Sequence, residues 1–527
     1  MIYHCEDHTC NYWDEGEKLP ERCPQCGRKL LRANEADMTG DDWTALGNTL
    51  WDAEASDKKR MVDCFRKAAY LGSAWGVCNL GICMEQGNGV EADPVQAFWL
   101  YQQAVEMGSL NAVCCLGVCY QYGIGTAPDA KQAAELYCKA AEYGSPRGQM
   151  LLARAFHDGI GVEADAAEAM HWVRAAAYQR YGEGMHRLGV CYEYGDGVEQ
   201  NWERAVHWFR EAAESGVSAA MTDLGYCYEK GCGVEQSWEQ AFSWYRRGAE
   251  CGDPVSMCNL GLCYQMGYGV EQNWQEAIKW YEQGAQCGNL QSMHNLACCY
   301  EHGEGVEQNM TEAIRWYTAA AEGGNADDMY ELGWQYDHGE GVEQDMKKAI
   351  CWYERAAEQN HPAAMNSLGE CYAMGRGVPR DLETAMEWYR RAAELGEAMA
   401  DYNMGWHLEQ AGKLSEAYAH YRKAADGNDD SAWWALGRFY ENGVVVAQDG
   451  KEARRCYETG EKLGSVKCKM RLARCKLLGI GGRRAKKAGL DLCRQALELA
   501  KESSEKEDYG YEAEMNLLRR TIAENES

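Results

Sequence analysis

Four cysteines near the N-terminus have the types and spacing for chemistry. Cys5 and Cys10 form a Cys-x4-Cys pair, and after twelve residues Cys23-Pro24-Gln25-Cys26-Gly27 forms a tighter one. Two thiolate pairs held in two turns can close a tetrahedron around one metal ion, and a segment of about thirty residues buries too little apolar surface to fix itself otherwise. His4 and His8 flank the first pair, so a histidine in place of Cys5 or Cys10 is the alternative ligand set. A closed four-ligand site leaves no position for water or substrate, so its expected role is structural. Four thiolates suit zinc and iron alike; zinc is expected because a structural site needs no redox chemistry.

What positions the remaining side chains is a repeat. An anchor followed by Gly or Ala falls at Leu46, Leu80, Leu116, Leu152, Leu188, Leu224, Leu260, Leu296, Leu332, Leu368, Met404, Leu436 and Leu472. From Leu80 to Met404 every step is 36 residues, and a fixed period of this size means a stacked array of supersecondary units. Counted from Leu224, Met221 at −3, Gly225 at +1 and Tyr228 at +4 share one helix face. Gly231 and Gly233 stop that helix, and a second begins near +13, where Ser237, Asn273, Asn309, Asp345 and Asp381 are N-cap residues. Glu276 and Glu312 would complete capping boxes with Asn273 and Asn309. The second helix buries Ala241, Trp244, Tyr245 and Ala249, so each unit is an antiparallel helical hairpin. The tryptophans at +20, from Trp172 to Trp388, read as core spacers between hairpins.

The pattern A-x-x-L-G-x-x-Y-x-x-G-x-G-V followed by A-x-x-W-Y-x-x-A-A-x-x-G, displayed by residues 260–288, resembles the Sel-1-like repeat, a relative of the tetratricopeptide repeat. The CPxCG turn similarly resembles the rubredoxin-like zinc ribbon, although CEDHTC is two residues longer than the usual first turn. These resemblances imply an all-α, right-handed α-solenoid of about thirteen hairpins that binds other proteins on its surface, preceded by a small zinc ribbon. The expected domains are the ribbon at 1–33, a linker at 34–42, the solenoid at 43–502 and a capping helix within 503–527, the last from Tyr511 to Ile522 after a charged hinge at Ser503 to Asp508.

Composition narrows the partner. A net charge of −29 opposes a phosphate backbone and favours a basic or amphipathic protein or peptide over nucleic acid. No apolar run approaches the ~18 residues of a membrane helix, and the N-terminus lacks a signal peptide, so a cytoplasmic protein is expected. Of 26 cysteines, Cys83, Cys119, Cys191, Cys227, Cys263, Cys299, Cys371 and Cys475 recur at +3, where helix-packing distances of about 10 Å forbid bridges between units. They read as small buried apolar residues. The secreted, cysteine-rich branch of the family carries bridges where this chain has Ala213 with Met221 and Ala249 with Met257. That departure argues for a reducing compartment and against the penicillin-binding activities of that branch. His302 and His338, both at +6, should also lie about 10 Å apart, too far to share a metal. The basic cluster Arg483, Arg484, Lys486 and Lys487 reads as a solvated helix start or a docking patch.

If −3, 0, +1 and +4 face inward, then at 100° per residue the positions −2, +2 and +5 form a separate stripe. In tetratricopeptide-like solenoids the corresponding stripe lines the binding groove. It predicts a groove of His294 and Tyr330 at −2, Tyr226, Leu262 and Trp334 at +2, and an acidic edge of Glu193, Glu229, Glu301 and Asp337 at +5. No nucleophile, base or phosphate loop recurs, so the expectation is a non-enzymatic scaffold. The alternatives are an iron-bearing redox ribbon and a small-molecule or hydrolase function like that of the secreted relatives.

Overall fold

In the computed structural model, which describes residues 2–5, 13–15, 30–33, 35, 38–51, 55–506 and 512–526, each anchor from Leu80 to Leu472 lies within a helix of 13 residues. Each is followed by a second helix of a hairpin, as in Ser218–Lys230 with Trp238–Glu250. Within each of two compact units, Met1–Trp280 and Tyr281–Ser527, the hairpins stack in sequence as an all-helical solenoid.

One close approach closes the hairpin. A Cβ on Gly225 would stand 2.5 Å from the Tyr245 ring, and one on Gly369 would stand 2.5 Å from Tyr389. Glycine at +1 thus admits the buried tyrosine at +21 at close range, although the 290–322 hairpin holds Tyr317 with Ala297 in that place. The turn between the helices is fixed by backbone. Gly231 adopts φ 73°, its neighbour Cys232 donates to the Cys227 carbonyl at 3.0 Å, and Ser237 donates to Tyr228 O at 2.9 Å. The Gln236 side chain then donates to Glu229 O at 2.8 Å, a bond repeated by Gln200, Gln308 and Gln344 in their own turns.

The predicted N-caps accept from the first helical turn, Ser237 from Gln240 N and Asn309 from Glu312 N. Glu276 also pairs with Lys279 at 3.2 Å and Glu312 with Arg315 at 3.2 Å. Two expectations about the core change. In the 218–250 hairpin the first helix buries Met221, Leu224, Gly225 and Cys227, whereas Tyr228 at +4 is half-buried and accepts from Arg210 Nη2 at 3.0 Å. The core aromatic is the tyrosine at +21, and the tryptophan at +20 lies half-buried at its edge, where Arg247 stands 4.2 Å from Trp244 and Arg355 4.3 Å from Trp352. The +3 cysteines, Cys227 and Cys371 among them, are buried free thiols.

At the N-terminus three short strands, β1 (Ile2–Cys5), β2 (Trp13–Glu15) and β3 (Leu30–Ala33), form an antiparallel sheet ordered β2-β1-β3, with Tyr3 opposite Asp14 and Arg32. Cys5 closes β1; Cys10, Cys23 and Cys26 lie outside the described residues. The first helix, Gly40–Thr49, starts inside the predicted linker because Thr39 caps it, in a box with Asp42. At the other end Lys486–Lys506 continues through the first residues of the predicted hinge, and Glu512–Glu526 closes the stack. Met515 and Leu518 pack there on Met470 and Leu477, and Arg471 Nη2 donates to Glu514 Oε1 at 2.6 Å. Arg484, from the basic cluster, donates to Leu477 O and Asn525 Oδ1, so this residue fastens the closing helix.

Candidate functional site

Three consecutive first helices of the second unit, Ala326–His338, Pro362–Met374 and Ala398–Gln410, turn the stripe opposite their buried residues toward one groove of about 810 Å³. At 100° per residue the buried arc spans −3, 0, +1 and +3, so −2 and +2 necessarily face away from it. Tyr330 and Trp334 come from the first helix, Asn366 and Glu370 from the second, and Tyr402, Asn403 and Trp406 from the third. Tyr353 and Tyr389, the buried rings of two hairpins, back the floor.

The groove is organised by side-chain pairing. Trp334 stacks on His338 with ring centres 4.4 Å apart, and Tyr330 stacks on His361 at 4.9 Å. Along the floor Asn403 Nδ2 donates to Asn366 Oδ1 at 3.0 Å and Glu370 Oε1 at 3.2 Å, and Asn366 Nδ2 donates to the same carboxylate at 3.2 Å. Arg376 binds Asp337 at 2.9 Å and reaches Glu370 at 3.8 Å. Beside Trp406, burial holds the His407 imidazole below its ordinary range, which favours the neutral ring. Trp406 and Met399 stay exposed, at 38% and 45%. The result is a pair of indoles on two walls over a floor of amides and carboxylates, suited to an extended chain carrying an apolar or cationic side chain.

The +5 carboxylates do not form a solvated acidic edge. Tyr245 OH donates to Glu229 Oε2 at 2.8 Å and Tyr317 OH to Glu301 Oε2 at 2.6 Å, a bond between the two helices of one hairpin. Asp337 is buried, 3.5 Å from Tyr353 OH. Glu193 lacks such a donor because its hairpin carries Phe209 at +21, and burial, with Asp223 nearby, raises its carboxyl. In the first unit Tyr226 and Leu262 are exposed at 43% and 40%, with Lys230 Nζ 5.8 Å above the Tyr226 ring. His294 is drawn inward: its Nδ1 lies 2.7 Å from Asp328 Oδ1 and its Nε2 3.6 Å from Cys298 Sγ. The Asp328 bond raises the imidazole to about 10, while burial pushes Asp328 up and the same bond pulls it back.

Asn366, Glu370, Tyr402 and Trp406 were within reach of the sequence, since they continue the −2 and +2 stripe for two more hairpins. Arg376 was not, because its turn position says nothing of its reach back to Asp337. Among the described residues no three His, Cys, Asp or Glu side chains cluster to hold a metal, and no helix is long and apolar enough to cross a membrane.

A family model described as the Sel1 repeat matches the chain eleven times, at 76–109, 112–145, 146–181, 182–217, 218–253, 254–289, 290–325, 326–361, 362–397, 398–429 and 432–465. The chain is similar to the crystal structure of a protective antigen present in uropathogenic Escherichia coli strains displaying an SLR fold. Identity is 29% and the TM-score 0.55, over 88% of this chain and 94% of that one. It is also 29% identical to a Sel1 repeat protein from Oxalobacter formigenes, covering 48% of this chain and 100% of that one with a TM-score of 0.44. Among curated proteins none matches.

Proposed function

The chain belongs to the Sel1 repeat family, and on that footing we propose that it is a non-enzymatic adaptor holding an extended protein segment in the groove of its second unit. The observation that carries this reading is the pair Trp334 and Trp406 flanking the Asn366, Glu370 and Asn403 floor. Trp406 is exposed and Trp334 is half-buried on His338, and aromatics that line a groove are binding anchors, while the amides and carboxylate can pair with a partner's backbone. The net charge of −29 favours a cationic segment. Tyr226 and Leu262 of the first unit are further exposed contacts in this reading, whereas Glu229, Glu301 and Asp337 serve by holding the hairpins that present the groove.

Random-peptide display on the intact chain tests it. Cationic segments with an aromatic or aliphatic anchor should be enriched, and the Trp334→Ala/Trp406→Ala chain should bind them about tenfold or more weakly with unchanged helicity. Retained affinity removes the groove from the reading, and an unfolded double variant makes both indoles core residues.

Cys5, Cys10, Cys23 and Cys26 would hold one zinc ion as a structural staple. The reading is supported by their donor set and spacing. One equivalent of zinc in the purified chain, lost in Cys23→Ser/Cys26→Ser, is the expected result; iron and visible colour would replace it with a redox site. The buried free thiols from Cys83 to Cys475 fit a cytoplasmic, reducing setting.

A further inference from the structure

The hairpin formed by Pro146–Asp158 and Ala166–Tyr178 lacks the ring that closes its neighbours. At +21 the first unit carries Tyr101, Tyr137, Val173, Phe209 and Tyr245 in successive hairpins. At +1, where a Cβ on Gly117 would stand 2.5 Å from Tyr137, this hairpin has Ala153. The paired change removes a ring and adds only a methyl group, and a cavity of about 410 Å³ lies there. Its walls are Ala153, Ala169, Val173 and Cys191, with Met170 beside them. These are the positions that surround the native ring elsewhere: Tyr245 packs in one cluster with Ala241 and Cys263, the equivalents of Ala169 and Cys191.

An apolar cavity of roughly 150 Å³ is enough to hold benzene. Here the mouth is polar as well. At +5, where Gln121 accepts from Tyr137 OH at 2.7 Å, the hairpin has His157. His157 Nδ1 lies 2.7 Å from Asp158 Oδ1 and its Nε2 3.5 Å from Asp196 Oδ2, while Arg187 Nη2 stands 3.1 Å from Asp196 Oδ2 and Arg154 Nε 3.4 Å from Asp158 Oδ2. Two carboxylates and two guanidiniums balance, so a carboxylate or an ammonium entering the mouth gains from one pair what it loses to the other. A neutral hydroxyl, which both donates and accepts, meets no such conflict.

We propose that this cavity is a socket for a phenol ring supplied in trans, occupying the place of the tyrosine the hairpin lacks. The ring comes from a tyrosyl side chain of a partner or from a free small phenol, and its hydroxyl sits among Asp158, Asp196 and Arg187. The site is separate from the groove of the second unit and stands or falls independently of it.

The test is a titration of the intact chain, labelled at its methionine methyl groups, with p-cresol, N-acetyltyrosine amide and cyclohexanol. Saturable movement of the Met170 methyl resonance by p-cresol, with little by cyclohexanol, is the expected result. N-acetyltyrosine amide acting as strongly identifies a tyrosyl side chain as the occupant; p-cresol acting alone identifies a small phenol. Ala153→Gly/Val173→Tyr, which returns the ring to the chain, should raise Tm by a few degrees and abolish the p-cresol response. No saturable response, an equal response to cyclohexanol, or an undiminished response in a folded double variant overturns the proposal. If that variant fails to fold, wild-type crystals soaked in p-cresol decide: a ring in the cavity supports the proposal and its absence overturns it.

Discussion

The residue that most changes its meaning in three dimensions is the carboxylate at +5. Glu229, Glu301 and Glu441 each accept a hydrogen bond from a tyrosine 16 residues later, which satisfies a phenol whose ring is buried. A buried hydroxyl without a partner would cost about 1–3 kcal/mol, so these acids are retained by the core and not by solvent. His294 gives the residue scale its pH prediction. Its folded pKa, about 10, lies above the ordinary 6.5 because the Asp328 carboxylate accepts a hydrogen bond from the protonated ring. Its contribution to stability is therefore complete below 6.5 and is lost as pH rises through about 10. Urea unfolding of wild type and His294→Gln across that window should show a stability gap that narrows with rising pH. A gap independent of pH would mean that the protonated pair contributes nothing.

At the scale of the element, the hairpin is closed by a fit that neither helix has alone. Gly225 in one helix leaves room for Tyr245 in the other, and a Cβ there would lie inside contact distance of three ring atoms. Gly225→Ala adds helix propensity yet forces overpacking, so it should destabilise the chain by about 1–3 kcal/mol, measured by urea unfolding. Combining it with Tyr245→Val should recover part of that loss, since the natural hairpin with Ala153 and Val173 folds with the same two helix lengths. A fully additive pair of losses would show that the ring and the glycine are not coupled.

For the whole molecule the governing quantities are the charge of −29 and nearest-neighbour stacking. Within each unit neighbouring hairpins pack on one another, as Tyr245 does on Met257 and Leu260, so stability is close to a sum of hairpin and interface terms. Excess negative charge opposes that stacking through self-repulsion, and salt screens it within a Debye length of about 10 Å at 0.1 M. Tm should therefore rise with sodium chloride from low salt to physiological strength, followed by circular dichroism at 222 nm; a falling Tm would mean that ion pairs such as Arg376 with Asp337 outweigh the repulsion.

The sequence by itself determined the period, the hairpin, the caps at Ser237 and Asn309 and the buried place of Leu224 and Cys227, because each is a consequence of 100° per residue and of local backbone chemistry. It also marked Tyr330 and Trp334 as outward-facing, and the same rule carried two hairpins further reaches Trp406. Only the tertiary structure decided that tyrosine at +21 fills the core while tryptophan at +20 edges it, that the +5 acids turn inward, and that Ala153 with Val173 leaves a cavity. A period fixes which side of a helix a residue occupies. What lies across from that side, and whether it leaves room, is set by a neighbour packed through space.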